Sequence, residues 1–351
     1  MKGLVFHGPR DIRYETFPDP RLSSRNSAIL RVQKCSICGS DLHIYHGDNI
    51  GKVKYGTDTQ HFCVGHEFLG EVVEVGPEVH NFSLGQRVMA APGSGCGNCP
   101  FCLSGQQSQC PATTAFGLSS QLNGGQAEYV CIPNADQNLM LLDGSLSDEQ
   151  ALLLTDAAST ACFGIGRSGL QAGESIAIVG LGPIGLVGIE LALLMGAAQV
   201  FAIDPVASRR AKAETLGAIA LAPDQNLQAA IFAATAGRGV QRVFEASGAK
   251  SAIESTIAIA AAGGTISAIG LPQPDVALPA MKLLYKNLTF RAGVANNIQE
   301  MWQILLPLFR SGRLKAEGLF SHHFSLRDGA DAYRLFDARD EGVLKLMIEI
   351  D

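Results

Sequence analysis

Along the first 150 or so residues the apolar positions come in short runs broken by turns. Residues 28–32 form one such run, and 68–75 another, with Glu71 and Glu74 interspersed and Gly76-Pro77 ending it. Residues 87–89 and 127–133 follow. Short runs with this punctuation predict the strands of a compact β-barrel-like domain. Residues 143–147 are polar and turn-like, and helical character starts near Glu149, runs through Leu154 and resumes from Ala157 towards Gly166. This segment reads as the hinge into a second domain. From Ser175 the texture changes to alternating strands and helices. Residues 175–179 read as a strand, 180–185 as a turn, 186–195 as a helix stopped by Gly196, and 199–203 as a second strand ending at Asp204. Later strands are expected at 242–248, 263–270 and 288–293. After about Ala295 a helix spans 298–310, and a closing strand at 343–348 is expected to rejoin the first domain. The expected division is 1–152, with a cysteine lobe at about 93–112, then 153–295, then 296–351. The fold class is α/β, a β-barrel-like domain beside a doubly wound parallel sheet.

Length agrees with this division, since 351 residues exceed what one core ordinarily organises. A hydrophobic fraction of 47% against 17% charged residues fits a globular protein with ample core. The net charge of -6 argues against a nucleic-acid partner. The apolar stretch 176–203 is interrupted by Glu190 and Gln199 and carries three glycines and a proline near its front, so no membrane span is expected. The run at residues 3–6 is too short for a signal peptide, so a cytoplasmic location with reduced thiols is expected for the nine cysteines.

Three constellations carry chemistry. The strand–turn–helix with Gly180, Gly182, Pro183, Ile184 and Gly185 is a dinucleotide fingerprint. Its glycines serve the tight turn, the approach of backbone to the pyrophosphate, and the packing of helix on strand. Free N–H groups at the helix start favour the phosphate charge. Asp204, at the end of the next strand, is placed to accept both adenosine ribose hydroxyls, which favours NAD over NADP. Arg209 is near enough to help hold the ribose, or is a surface charge. The second constellation is Cys96, Cys99, Cys102 and Cys110, four thiols within fifteen positions, which read as a closed structural zinc site rather than disulfides. The third is Cys38, Ser40, Asp41 and His43, answered by His66 and Glu67. Thiolate and imidazole are ligands that zinc prefers.

Together, Cys38-Gly39-Ser40-Asp41-x-His43, Gly65-His66-Glu67, the cysteine lobe, the turn Gly180 to Gly185 and Asp204 resemble the zinc-dependent medium-chain alcohol dehydrogenases over essentially the whole chain, with the secondary-alcohol and formaldehyde-dehydrogenase-like branch nearest. The resemblance implies a GroES-like catalytic domain, a Rossmann domain for NAD, and two zinc ions per chain. It implies catalytic zinc on Cys38 and His66. Where many members carry a second cysteine, this chain has Leu154-Thr155-Asp156, so Asp156 is the expected third ligand, with a helix cap as its other reading and Glu67 as another way to complete the shell. Cys162 competes from six residues on; Cys35 is expected to be packed, and Cys63 and Cys131 belong to no motif. Asp41 is expected to orient His66 and Glu67 to approach the metal. The proton is expected to leave by way of Ser40, a nicotinamide ribose hydroxyl and His43. Ser247, Gly270 and Leu271 are placed at strand ends along the cofactor, and Lys345 at the pyrophosphate. The implied substrate is a small alcohol or its carbonyl product. A polyol, amino-alcohol or formaldehyde-type substrate, or a non-catalytic zinc- and NAD-binding protein, are the other readings. A homotetramer is expected, or a dimer pairing strands near Ile266 and Phe290.

Overall fold

The computed structural model describes residues 1–50, 53–54, 61–272, 276–294 and 298–350. It divides into two compact units. The first comprises Met1–Asp156, Asn296–Leu306 and Glu317–Asp351, and the second Ala157–Ala295 with Pro307–Ala316. The first join therefore falls after Asp156, and residues 307–316 of the C-terminal segment group with the second unit. The other expected boundary, at Ala295, lies outside the described residues.

The first unit is built on a seven-stranded sheet in the order Leu139–Leu141, Arg87–Ala90, Glu67–Val75, Ala28–Ile37, Lys345–Glu349, Phe320–Ser325, with Tyr129–Ile132 also paired to Ala28–Ile37. Its pairings are antiparallel except between the last two strands in that order. A smaller sheet joins Asp11–Thr16, Lys2–Gly8 and Phe62–Cys63. Alternation turns Leu30, Val32, Phe68, Val72 and Leu346 into one shared core with Tyr333. The late strand expected at 343–348 is Lys345–Glu349, and it sets Leu346 opposite Ile37 and Met347 opposite Ser36. Ser36 also lies opposite Glu67. Sheet order thus brings residues 36, 67 and 347, from the first fifth of the chain and from its end, to one place.

A strand passes directly into a helix at residues 34–41. Ala28–Ile37 ends at Cys38, and Gly39–His46 is a helix. Asp41 explains the switch, because its Oδ2 accepts the Cys38 amide at 2.8 Å and so satisfies an orphan donor at the helix start.

The second unit is a six-stranded parallel sheet in the order Ile219–Leu221, Gln199–Ile203, Ser175–Val179, Val240–Glu245, Ala260–Ala268, Thr289–Ala292. Two of its inner strands, Ser175–Val179 and Gln199–Ile203, are apolar but for their first residues, as a sheet covered on both faces requires. The order reverses between Ser175–Val179 and Val240–Glu245, the switch point at which doubly wound sheets bind ligands. The helix after the first strand begins at Pro183, three residues earlier than the sequence suggested. Proline is tolerated there because its missing N–H is one that the first helical turn leaves unbonded anyway. Helix Lys250–Ile259 is finished by Lys286, whose Nζ donates to the carbonyls of Ile257, Ala258 and Ala260, each at 2.9 Å. Among the described residues, no helix is long and apolar enough to cross a membrane.

Candidate active site and cofactor site

In the first unit, strand end and helix start present Cys38, while the turn before Glu67–Val75 presents His66. That turn depends on Gly65. Its φ is +93°, and a Cβ there would lie 2.3 Å from Gln126 Cγ. Gln126 is itself fixed, donating from Nε2 to the Ser36 carbonyl at 3.1 Å and accepting from the Tyr333 hydroxyl at 2.9 Å. The third arm comes from Asp156, which terminates helix Asp148–Thr155. That helix end is anchored by the Trp302 indole, which donates to the Leu154 carbonyl at 2.8 Å.

Candidate ligand atoms of Cys38, His66, Glu67 and Asp156 all lie within 4.8 Å of one another. Asp156 Oδ2 is 3.3 Å from Cys38 Sγ and 3.4 Å from His66 Nε2. Its carboxylate is thus aimed into the cluster. Cys162 is not part of it. Cys35 is fully buried and packed, as expected. Asp41 serves both principal arms, since Oδ2 holds the Cys38 amide and Oδ1 lies 3.0 Å from His66 Nδ1. Fixing the far ring nitrogen of a ligating histidine sets the face it turns to the metal. Ser40 Oγ lies 3.2 Å from His66 Nε2. His43 Nδ1 pairs with Asp48 Oδ2 at 2.9 Å.

The donor set fits a divalent cation. Burial, together with the charge of Asp156, pushes the Cys38 thiol up to about 11. Burial works against a charged His66, yet the charge of Asp41 and the hydrogen bonds the ring makes to Asp156, Asp41 and Cys38 raise it well above the ordinary range. Burial also raises Glu67 against the pull of Lys345. Glu67 Oε1 is buried with no hydrogen-bond partner. Crowded carboxylates beside a suppressed thiolate are what a cation would relieve, and one thiolate, one imidazole and one carboxylate leave a tetrahedral ion a fourth position.

Lys345 requires a correction. It was expected at the pyrophosphate, but it is 2% exposed and its Nζ meets Glu67 Oε2 at 2.5 Å. The Ser36 hydroxyl donates to the same oxygen. The lysine is placed by its strand, next to Leu346 opposite Ile37, one residue from Cys38. Gln126, Tyr333 and Ser36 carried no motif in the sequence and act through long-range contacts, while Asp48 acts locally on His43.

The cysteine lobe forms its own cluster of Cys96, Cys99, Cys102 and Cys110. Cys96 Sγ and Cys102 Sγ are 4.0 Å apart, and Cys110 Sγ accepts the amides of Cys96 and Ala112 at 3.3 Å. Four thiolates around zinc at about 2.3 Å stand roughly 3.8 Å from one another, so the spacing fits. Amides of Asn98 and Cys99 draw Cys96 down to about 6, while burial pushes Cys102 up to about 12.

In the second unit, the expected cofactor residues gather at the carboxyl ends of the strands. A Cβ on Gly185 would strike the Gly180 carbonyl at 1.9 Å, so helix packs on turn only through glycine. Gly182, the residue preceding the first helical turn, faces open space, which leaves the helix start accessible to a phosphate. Ile184 and Leu271 are half-buried. Asp204 ends its strand as expected, with a role the sequence did not show. Its Oδ2 accepts the Leu181 amide and its Oδ1 the Val206 amide, both at 2.8 Å. Each oxygen keeps a further lone pair for a ribose hydroxyl. Arg209 Nη1 is 4.0 Å from Asp204 Oδ2. Ser247 is tied back to Glu245 Oε1 by its hydroxyl at 2.6 Å and its amide at 2.8 Å, and the Gly248 amide joins them at 2.9 Å. A Cβ on Gly248 would lie 2.1 Å from the Leu271 carbonyl and one on Gly270 would lie 2.0 Å from the Gly248 nitrogen, so these two strand-end loops are in direct contact.

A barrel-like domain with a Cys–His–carboxylate cluster and a parallel sheet with a dinucleotide turn define a metal-dependent dehydrogenase. The comparisons agree. The profile for the alcohol dehydrogenase GroES-like domain matches residues 24–143, and that for zinc-binding dehydrogenases matches residues 183–311. A probable zinc-binding alcohol dehydrogenase of Mycobacterium tuberculosis is 34% identical, over 100% of this chain and 89% of its own. The sorbitol dehydrogenase of Bacillus subtilis is 31% identical, over 99% and 97%. The solved structure of an alcohol dehydrogenase from Thermus sp. ATN1 superposes with a TM-score of 0.90 at 33% identity, covering 100% of both chains. The chain belongs to the zinc-dependent medium-chain alcohol dehydrogenase family. It is an oxidoreductase of alcohols that uses zinc and NAD.

Proposed function

We propose that this chain oxidises a secondary alcohol to the ketone with NAD, holding catalytic zinc on Cys38, His66 and Asp156 and structural zinc on the four-cysteine lobe. The observation that carries the reading is the convergence of a thiol, an imidazole and a carboxylate beside a serine hydroxyl 3.2 Å from the imidazole. Zinc bound there would lower the pKa of a coordinated hydroxyl, and NAD would take the hydride.

The residues of the chain do the remaining work. Ser40 Oγ is placed to take the hydroxyl proton, since it stands beside the ligand set. His43 is the group that holds the proton next, its ring oriented by the contact of Nδ1 with Asp48 Oδ2 at 2.9 Å. Beyond it, His46 Nε2 meets Asp337 Oδ1 at 2.6 Å, which carries the line of imidazoles and carboxylates onward. Asp41 holds Cys38 and His66 in register, and Lys345 with Ser36 keeps Glu67 Oε2 occupied. NAD on the second unit would rest its pyrophosphate on Gly182 and its adenosine ribose on Asp204. The loops of Ser247, Gly270 and Leu271 would line it.

The sorbitol dehydrogenase relative supports a substrate with secondary hydroxyls and makes a polyol the second reading. We take the setting to be cytoplasmic and reducing, in which cysteines serve as metal ligands rather than disulfides. We take the assembly to be a homotetramer or a homodimer. The edge strand Thr289–Ala292 carries Phe290, and nearby Met281, Leu284 and Tyr285 are 58%, 66% and 78% exposed. Ile266 is excluded from such an edge, because its strand is paired on both sides. The substrate class is tested by NADH formation with matched pairs of secondary and primary alcohols and with polyols. A secondary alcohol giving the highest kcat/KM is the expected result. A preference for the primary isomer overturns this assignment.

A further inference from the structure

The first strands carry a set of metal-ligating groups that the dehydrogenase chemistry does not use. His7 lies on Lys2–Gly8, Glu15 on Asp11–Thr16, and His61 just before Phe62–Cys63. The antiparallel register sets Phe6 opposite Phe62 and Val5 opposite Cys63, so His7 and His61 are the next cross-strand neighbours. On the other side of the same strand the register shifts between Phe6 and Gly8. His7 is the residue at that bulge, and a bulge re-aims the side chain it carries.

The result is a convergence from three strands. His7 Nε2 is 2.9 Å from Glu15 Oε1. The two imidazole rings are 3.9 Å apart, centre to centre, at 50°. One ligand atom from each of the three residues falls within 4.8 Å of the others. Around zinc, with bonds of about 2.0–2.1 Å, tetrahedral ligands stand roughly 3.3 Å apart. His7 and Glu15 are already near that spacing. His61 is exposed, and its ligand atom lies within 4.8 Å of both.

Electrostatics point the same way. Imidazoles in ring contact repel if both are protonated, whereas one cation takes both in their neutral form, with the carboxylate supplying charge. Asp11 adds a negative charge beside them without competing as a ligand. Arg13 engages both its oxygens, at 2.7 and 2.5 Å, and is the main reason its carboxyl sits below the usual range, with the two histidines contributing.

We propose that His7, Glu15 and His61 form a third metal site, separate from both cysteine-containing clusters, for a divalent ion of zinc type. Two imidazole nitrogens and one carboxylate oxygen suit zinc, copper or nickel rather than magnesium or calcium. The ion would cross-link all three strands of the small sheet and keep open positions filled by water.

The test uses the zinc-loaded enzyme equilibrated with added Zn²⁺ and counts bound metal per chain in wild type, His61→Ala, Glu15→Gln and, as a surface-histidine control, His80→Ala. Wild type and His80→Ala should bind one zinc more than the other two variants. Added Zn²⁺ should raise the melting temperature of wild type but not of His61→Ala. NADH formation should be unchanged in His61→Ala, so the result stands apart from the catalytic reading. Equal uptake by wild type, His61→Ala and Glu15→Gln would mean adventitious surface binding only and would overturn the proposal. So would a loss in His80→Ala as large as that in His61→Ala.

Discussion

Asp156→Ala is expected to empty the catalytic site of zinc, leave the four-cysteine zinc in place, and cut turnover by more than the ~10–100-fold that loss of an outer-shell partner costs. The expectation rests on placement. Asp156 Oδ2 sits 3.3 Å from the Cys38 sulfur and 3.4 Å from the His66 nitrogen, so removing it leaves two protein ligands and a suppressed thiol. Asp156→Asn keeps an oxygen donor without its charge and should fall between alanine and wild type. Metal counted per chain beside kcat decides the matter. A variant that keeps both metals and normal turnover shows that Asp156 is no ligand and that Glu67, with its free Oε1, completes the shell. Cys99→Ser is the converse variant. It should lose the other zinc and melt lower, since a structural site contributes folding energy directly.

Asp204→Gly is expected to erode the preference for NAD over NADP. In the wild type, on the proposed role of Asp204, two charge-assisted bonds to the ribose and repulsion of a 2′-phosphate would act together. A few kcal/mol of discrimination corresponds to roughly a hundredfold in kcat/KM or more. Arg209, 4.0 Å from the carboxylate, becomes available to a phosphate once the carboxylate is gone. The structure adds a cost that the sequence did not show. Leu181 is fully buried and its amide is held by Asp204 Oδ2, so the variant leaves a buried donor unmet and should lose about 1–3 kcal/mol of stability. Melting temperature and the kcat/KM ratio for the two cofactors should therefore fall together. Equal or better use of NADP by the wild type would mean that the arginines, not Asp204, set the choice.

What the sequence disclosed depended on spacing. The glycine turn, the cysteine lobe and the Gly65-His66-Glu67 triplet are local patterns, visible within a few positions even where, as for Gly65 against Gln126 and Glu67 against Lys345, the partners are distant. Strand–helix alternation in the second unit was equally plain, because parallel strands covered on both faces are continuous apolar runs. Lys345 was misplaced because its partner is decided by sheet order. Its strand lies beside Ala28–Ile37, which lies beside Glu67–Val75, and nothing local to residue 345 encodes that order. Gln126 and Tyr333 were silent for the same reason, acting across 207 residues of sequence to hold the backbone under Cys38. The helix Gly39–His46 was hidden because it is short and its start signal is a cysteine rather than a serine or threonine. Asp204 was read for its ligand and not for its amides, since a carboxylate at a strand end serves both.

The central claim is that zinc on Cys38, His66 and Asp156 makes this chain an NAD-linked alcohol dehydrogenase. NADH absorbance with a secondary alcohol, followed before chelation, after chelation and after zinc is restored, tests it most directly. Turnover should be present, vanish with the catalytic zinc, and return with one added zinc per chain. Turnover that persists after the Cys38–His66–Asp156 site has been emptied, or its absence with every alcohol class when both sites are filled, would contradict the account.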